Sequence, residues 1–228
     1  MTMPPYLSHD SLVKGGESPK PTISEPRPAP TPLFKAEPAL VLFEFSSIAR
    51  GMVAADAMVK RSAVELIHAG TVQPGRYLVL LGGEVAEVEE AMKAGKSVGG
   101  PAIEDVIWLP GVHPDVMVAL HPANQPPRTS PTEKDALGII ETRTAPAAIH
   151  AGDIAVKGAQ ILLLSIRLSD GLGGKGLVLL TGLVSDVEAA LELVRNRLDS
   201  LTLLHSEVIS QLHPDFVQNI VGQSRFFR

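Results

Sequence analysis

A segment near the start of the chain returns about one hundred residues later. Residues 39–60 read ALVLFEFSSIARGMVAADAMVK and residues 136–157 read ALGIIETRTAPAAIHAGDIAVK, with seven identities at an offset of 97. Two further matches follow in the same order, LVLL at 78–81 and 177–180 and His-Pro-Asp at 113–115 and 213–215, at offsets of 99 and 100. The offset between the copies grows by only three residues, so we expect the inserted residues to lie in loops. The repeat predicts two small domains of similar fold in tandem.

Proline-rich stretches frame the two copies. Residues 1–38 contain nine prolines among Ser, Thr, Glu, Lys and Gly, and residues 121–135 are polar and rich in proline. Proline removes a hydrogen-bond donor and fixes φ, so neither stretch is expected to form helix or sheet. The first is a disordered extension or a tether that docks on a partner. The predicted boundaries are an extension (1–38), a first domain (39–120), a linker (121–135), a second domain (136–222) and a tail (223–228).

Each copy has the apolar pattern of strand, helix, strand, strand, helix, strand, followed by a short closing helix. The predicted strands are 39–45, 64–69, 77–81 and 104–109, then 136–142, 161–168, 177–181 and 201–209; the closing helices are 113–119 and 214–220. This order predicts an α+β chain of two ferredoxin-like domains, each with an antiparallel four-stranded sheet and helices on one face.

Helical spacing and capping residues predict how the helices begin and face. Ser46 or Ser47 is expected to cap the first helix and Thr144 its counterpart, with Pro146 in the first turn. The side chains expected to face inward in the first copy are Ile48, Met52, Ala55 and Val59 on the first helix, and Val85, Val88 and Met92 on the second.

Composition excludes several classes of protein. The apolar runs are far shorter than the roughly 20 residues of a membrane helix, and the net charge of −5 is too mild for a nucleic-acid-binding surface. With no cysteine, the chain has no disulfides, thiolate catalysis or cysteine-ligated iron–sulfur cluster. No secretory-type apolar segment stands at the N-terminus, so we expect a cytoplasmic location.

No motif in the chain predicts an active site. Residues 171–176, GLGGKG, fit G-x-G-x-x-G by letter, but a strand follows where a dinucleotide site requires a helix. The seven histidines have no metal-ligand spacing, and no Ser or Thr has a recognisable base. We therefore expect no catalytic residue, no metal and no cofactor. An enzyme is disfavoured, and a small-molecule sensor or carrier built on ferredoxin-like repeats is the main alternative to a structural role.

Several short motifs occur in the same order in both copies. They are A-x-D-x-x-x-K (Ala54 to Lys60 and Ala151 to Lys157), the glycine-interrupted hairpin, the helix start at Val85 and Val184, and the closing-helix His-Pro-Asp. Together with Glu141-Thr142, they resemble the bacterial microcompartment (BMC) shell domain. Two unpermuted copies in one chain resemble the tandem, trimer-forming class (BMC-T).

The resemblance implies a structural shell protein in the bacterial microcompartment shell. Three chains would place six domains around a central pore as a pseudohexagonal tile, which packs with hexameric and pentameric shell proteins and passes small metabolites. It implies a tile-edge position for Lys60 and Lys157, with His113 and His213 nearby, and a pore lined by the loop between the second and third strands. The matching loop positions are Gln73, Pro74, Gly75 and Arg76 in the first copy and Ser169, Asp170, Leu172, Gly173 and Gly174 in the second. Whether Asp170 or Arg76 faces the axis is left open.

Overall fold

Two four-stranded antiparallel sheets form the framework of the molecule. The computed structural model describes residues 39–120, 135–213 and 215–217. The first copy contains β1 (Ala39–Phe45), α1 (Ile48–Arg61), β2 (Glu65–Val72), β3 (Arg76–Gly83), α2 (Val85–Gly99), a 3₁₀ turn (Gly100–Ala102), β4 (Ile103–Leu109) and α3 (Pro114–Leu120). The second contains β5 (Ala136–Thr142), α4 (Ala145–Gly158), β6 (Leu162–Leu168), β7 (Gly176–Gly182), α5 (Val184–Arg197) and β8 (Leu203–Ile209).

The strand order confirms the predicted fold class. The sheets run β2-β3-β1-β4 and β6-β7-β5-β8, and every pairing is antiparallel. This is the ferredoxin-like order, with the first strand of each copy in the sheet interior. The predicted extension, nearly all of the linker, the C-terminal tail and most of the second closing helix lie outside the described residues; residues 215–217 form a helical turn.

The predicted helix caps are confirmed. Ser47 is the N-cap of α1, and its hydroxyl oxygen accepts a hydrogen bond from the Arg50 amide at 3.3 Å. Thr144 does the same for α4 with the Ala147 amide, and Pro146 lies in the first turn, where its missing N–H costs nothing. Both helices therefore begin where the sequence places them.

The predicted inward faces of α1 and α2 are partly wrong. Ile48, Ala55 and Met92 do contact the core of the first copy. Met52, Val59 and Val85, however, are exposed. Val88 is buried as predicted, and the other buried residues are Gly51, Ala54 and Met58 on α1, and Ala91, Gly95 and Gly99 on α2.

Close approach of the backbone explains this rotation. A Cβ atom at Gly95 would lie 2.5 Å from Met58 Sδ, and one at Gly51 would lie 2.8 Å from Tyr77 Cδ1. Glycine is the residue that permits such contacts, so glycine stripes face inward and turn larger apolar side chains outward. At the matching place in the second copy the small and the larger residue have changed sides. Ala148 is on the helix and Gly176 is on the strand, and a side chain at position 176 would have no room beside Ala148.

One apolar cluster joins the two copies. The sheet face of the first copy that turns away from α1 and α2 carries Leu40, Leu42 and Leu80, and these residues belong to the same core as Ala148 and Ile149 of α4. The helices of the first copy pack in a separate cluster on the opposite sheet face, which includes Phe43 and Met58. The corresponding outward face of the second sheet has only a small cluster, built on Leu137, Leu164 and Leu212.

Candidate functional site: the seam between the copies and the hairpin loops

Two carboxylates of the first copy meet the N-terminus of α4 from the second. Glu44 on β1 accepts a hydrogen bond from the Ala145 amide at 2.8 Å, and Asp105 on β4 accepts one from the Thr144 hydroxyl. The first amides of a helix lack partners within the helix and carry its partial positive charge, so acidic side chains are favourable there. We call this contact between the first sheet and α4 the intra-chain seam.

Arg76 neutralises Glu44 inside the seam. Its guanidinium donates to Glu44 at 2.6 Å and to Glu104 at 3.2 Å. Burial raises the pKa of Glu44, while the hydrogen bonds from Arg76 and the Ala145 amide oppose that shift. Burial alone would lower the pKa of Arg76, but the bond and charge of Glu44 raise it. Arg76, expected near the pore, is thus held between two carboxylates at the base of its loop.

A second set of polar contacts closes the far end of the seam. Asp153 on α4 accepts a hydrogen bond from the His113 amide at 2.9 Å and pairs with Lys157 at 2.7 Å. The Lys157 ammonium also donates to the Gly111 carbonyl. The structure therefore brings Lys157 and His113, two residues expected at the tile edge, together across the seam. The Lys157 side chain is 42% exposed and that of Asp153 is 6% exposed.

The other two expected edge residues are on open surface. Lys60 pairs with Asp56 at 2.6 Å, and their side chains are 73% and 61% exposed. His213 is also exposed and lies 3.7 Å from Asp215. In the second copy His213 takes the place that His113 has in the first, and the Asp56–Lys60 pair on α1 matches Asp153–Lys157 on α4.

The hairpin loops expected at the pore contact each other within one chain. A Cβ atom at Gly174 would lie 3.0 Å from Pro74 Cδ and 3.5 Å from Arg76 Nη1. The first loop is the tight turn of Gln73, Pro74 and Gly75, all exposed, between β2 and β3. The two loops that the resemblance assigns to one pore thus lie side by side.

The second loop is longer and is closed by its own hydrogen bonds. Ser169 is fully buried at φ 52°, and its amide donates to the Lys175 carbonyl at 3.0 Å. The Leu172 amide donates to the Ser169 carbonyl at 2.9 Å. Asp170 and Gly173 are exposed, Gly174 is buried and Leu172 is half-buried. Lys175 pairs with Glu141 as Arg76 pairs with Glu44, so the same cation–glutamate contact anchors each loop.

Sequence reasoning did not foresee the polar seam. Glu44, Asp105 and Asp153 act across the two copies, whereas their sequence neighbours gave no hint of a partner about 40 to 100 residues away. One signal was available: a glutamate recurs at the sixth position of two otherwise mostly apolar strands, at Glu44 and Glu141. A charged residue inside a buried strand requires partners, and for Glu44 these are Arg76 of its own copy and the Ala145 amide of the other.

The described ranges contain no cluster of three or more His, Cys, Asp or Glu side chains that could hold a metal ion. Nor does any helix in these ranges combine the length and apolar character needed to span a bilayer. What the geometry presents is a bonded seam between like domains and a pair of loops that meet at one end of it.

The profile of the BMC domain matches this chain twice, at residues 39–108 and 136–212. The chain belongs to the BMC-domain family of bacterial microcompartment shell proteins. It is 35% identical over 184 residues to the bacterial microcompartment shell protein PduT of Citrobacter freundii, covering 80% of this chain and 97% of PduT. It is 27% identical over 202 residues to the carboxysome assembly protein CcmO of Synechocystis sp., covering 83% of this chain and 67% of CcmO.

Two solved structures of microcompartment proteins share the fold. A microcompartment protein from Desulfitobacterium hafniense superposes with a TM-score of 0.68 at 40% identity, covering 81% of this chain and 99% of that one. A fused permuted hexameric shell protein from the RMM microcompartment matches with a TM-score of 0.53 at 20% identity, over 72% and 82% of the two chains, which supports the fold alone. The chain is a structural component of a microcompartment shell.

Proposed function

We propose that three chains close into a ring of six BMC domains, and that this ring is a tile of the shell with a central pore for metabolites. The observation that carries the proposal is the intra-chain seam. Each copy carries both halves of such a seam, but one chain can form it only once. Two halves remain unused: the outer face of α1 and the outward sheet face of the second copy. By the internal repeat they correspond to α4 and the first sheet, the two sides of the intra-chain seam, so they are expected to pair in the same way.

The apolar part of these free halves supports the proposal. Met52 on α1 is 50% exposed, whereas Ile149, its counterpart on α4, is 0% exposed inside the seam. Phe216, in the turn after β8, is 48% exposed, whereas its counterpart Val116 on α3 is 0% exposed. Large apolar side chains that are exposed in one copy and buried at the matching place in the other suit an interface with a further copy. A neighbouring chain that repeats the seam would cover both.

The polar part fits as well. If the seam is repeated between chains, Glu141 accepts a hydrogen bond from the Ile48 amide of the next chain, as Glu44 does from Ala145. Asp56 then accepts one from the His213 amide, and Lys60 donates to the Gln211 carbonyl. These are the counterparts of the three contacts that close the intra-chain seam. A head-to-tail contact of this kind generates a ring when its rotation closes.

The native mass of the purified protein, measured by light scattering, tests the ring. We expect about 72 kDa, three times the chain mass of 24.1 kDa. A mass twice that value would mean that two rings stack. A monomer at micromolar concentration would refute the ring and favour a small-molecule sensor or carrier built on the same fold.

Lateral packing with other shell proteins, hexameric and pentameric, is the second part of the proposal. Lys157 lies at the far end of the intra-chain seam, and Lys60 takes the matching place in the proposed seam between chains; their side chains are 42% and 73% exposed, so an aliphatic stem can pack across to a neighbouring tile. Alanine at both positions removes that stem, together with the exposed pair of Lys60 with Asp56 and the pair of Lys157 with the buried Asp153, which keeps its hydrogen bond from the His113 amide. We expect the variant to keep the native mass of the ring while extended sheets disappear in electron micrographs. Sheets that persist would show that these lysines are not the edge.

The proposed role requires positions and surfaces rather than a reacting group. We propose that the chain is not an enzyme, and that its contribution to metabolism is the passage of small molecules through the axis of the ring. Turnover of a metabolite by the purified ring, above the buffer background, would contradict this.

A further inference from the structure

We propose that Leu172, present three times in the ring, forms an apolar neck in the pore, so that the pore favours small uncharged solutes over ions. This inference rests on the proposed ring and adds to it the class of solute that passes. It depends on the position of the two hairpin loops, on the pairing of the cations at their bases, and on the composition of the longer loop.

Ring geometry places the loops near the axis. In a ring of six, neighbouring equivalent points are separated by the same distance as each lies from the axis. Equivalent elements of adjacent domains that touch are therefore close to the axis, and equivalent elements far from the axis stand far apart. The Gly174 position lies within contact distance of Pro74 and Arg76 of the other copy. The two loops are in this way assigned to the wall of the pore.

Both loops carry cations at their bases, and carboxylates bind them. Arg76 is held by Glu44 and Glu104, with only a small part of its side chain exposed. Lys175 is paired with Glu141 on β5, away from the tip of its loop. A charge compensated at contact distance produces little field farther away in water. Neither cation is therefore expected to act as a ring of positive charge that attracts anions to the axis.

The tip of the longer loop has one side chain. Of residues 171–174, three are glycines with positive φ, and Leu172 stands between them. The Leu172 amide closes one turn onto Ser169, and its carbonyl accepts from the Lys175 amide in the next, so its backbone is fixed at the apex. Three leucines around a narrow axis make an apolar constriction, which resists hydrated ions more than neutral molecules.

Ion conductance of the purified ring in a planar lipid bilayer tests the class of solute. We expect little conductance in potassium chloride for the natural protein. Leu172→Asp places three carboxylates at the neck and should raise cation over anion permeability roughly tenfold, because clefts lined by one sign of charge concentrate counter-ions. Leu172→Ala is the matched control that removes bulk without adding charge. Asp170→Asn tests the nearest loop carboxylate: a cation preference in the natural ring that this variant abolishes would overturn the inference.

Cross-linking supplies an independent readout of position. The natural chain contains no cysteine, so Leu172→Cys and Asp170→Cys each introduce a single thiol. At a narrow neck two of the three Leu172→Cys thiols can approach disulfide distance, and mild oxidation should yield chain dimers on a non-reducing gel. Dimers from Asp170→Cys alone, or from neither variant, would place the neck elsewhere. The native mass of both variants and of the natural protein is measured first. A monomeric natural protein refutes the proposed function. An intact ring in which Leu172→Cys gives no dimers refutes this inference alone.

Discussion

Helices α1 and α4 occupy the same place in the two copies and share the A-x-D-x-x-x-K spacing, but their surroundings differ. The second copy's α4 packs against its own sheet on one side and against the first copy on the other, and ten of its residues are buried. By contrast α1 buries three residues and is half-exposed at Met52. The same motif therefore serves two environments within one chain.

This difference shows which part of each helix belongs to the domain and which to the assembly. Residues buried in both helices, such as Ala54 and Ala151, form the core of a single domain. Residues buried only in α4 include Ile149 and Asp153, which meet the first copy. In the proposed ring, the exposed side of α1 is the place where the next chain packs.

The largest expected effect comes from a charge on that exposed side. In Met52→Glu we expect the native mass to fall from three chains to one. The proposed seam between chains would bury the new carboxylate against apolar side chains, and burial of an unpaired charge costs too much free energy for the contact to form. The folded monomer should persist, since Met52 is already half in water. Light scattering and circular dichroism measure the two outcomes.

Leu183→Glu is the matched control for that change. Leu183 is 64% exposed, and its counterpart in the first copy is Glu84, so the fold accepts a carboxylate at this position. We expect the ring to survive. A Met52→Glu protein that stays trimeric, or a Leu183→Glu protein that dissociates equally, would contradict the assignment of the seam.

A smaller effect separates the two loop anchors. Arg76→Ala leaves Glu44 buried without its cation, and loss of one partner of a buried pair costs about 3 kcal/mol in the free energy of unfolding. Lys175→Ala removes the partner of a more exposed glutamate and should cost less than about 1 kcal/mol. Urea unfolding in the Met52→Glu background keeps oligomerisation out of the comparison. Equal losses would mean that the two anchors are equivalent after all.

The cost of Arg76→Ala should also depend on pH. Burial raises the pKa of Glu44, and loss of Arg76 removes a group that opposes this rise. The folded state then favours the protonated carboxyl, so the penalty is present at neutral pH and declines as the pH falls through the pKa of Glu44.

The sequence predicted the elements of the fold well and the facing of α1 and α2 only in part. Strand order and caps follow from the repeat, from apolar runs such as 39–45 and from capping residues such as Ser47, all of which act locally. The inward face of α1 was predicted wrongly at Met52. Apolar periodicity points to Met52, but the helix approaches its sheet through Gly51, and a glycine adds nothing to a hydrophobicity pattern.

The candidate site was predicted in outline, and its pore and edge positions remain predictions. Loop and edge positions came from the resemblance, but the contacts that bind the copies did not, because Glu44 and Ala145 are 101 residues apart. No local pattern encodes a partner at that distance. The recurrence of the glutamate in β1 and β5 was the one trace of it in the sequence.

The first copy packs a glycine on its helix against a tyrosine on its strand (Gly51–Tyr77), and the second packs an alanine on its helix against a glycine on its strand (Ala148–Gly176). This difference limits which substitutions each copy can accept. Each helix fits only the sheet beside which it now stands: α4 grafted over the first sheet would bring Ala148 against Tyr77, and α1 over the second would leave a void opposite Gly176. Within each half, helix and strand are thus complementary in size at this contact. Replacing one helix by its counterpart therefore requires a matching change of size on the facing strand.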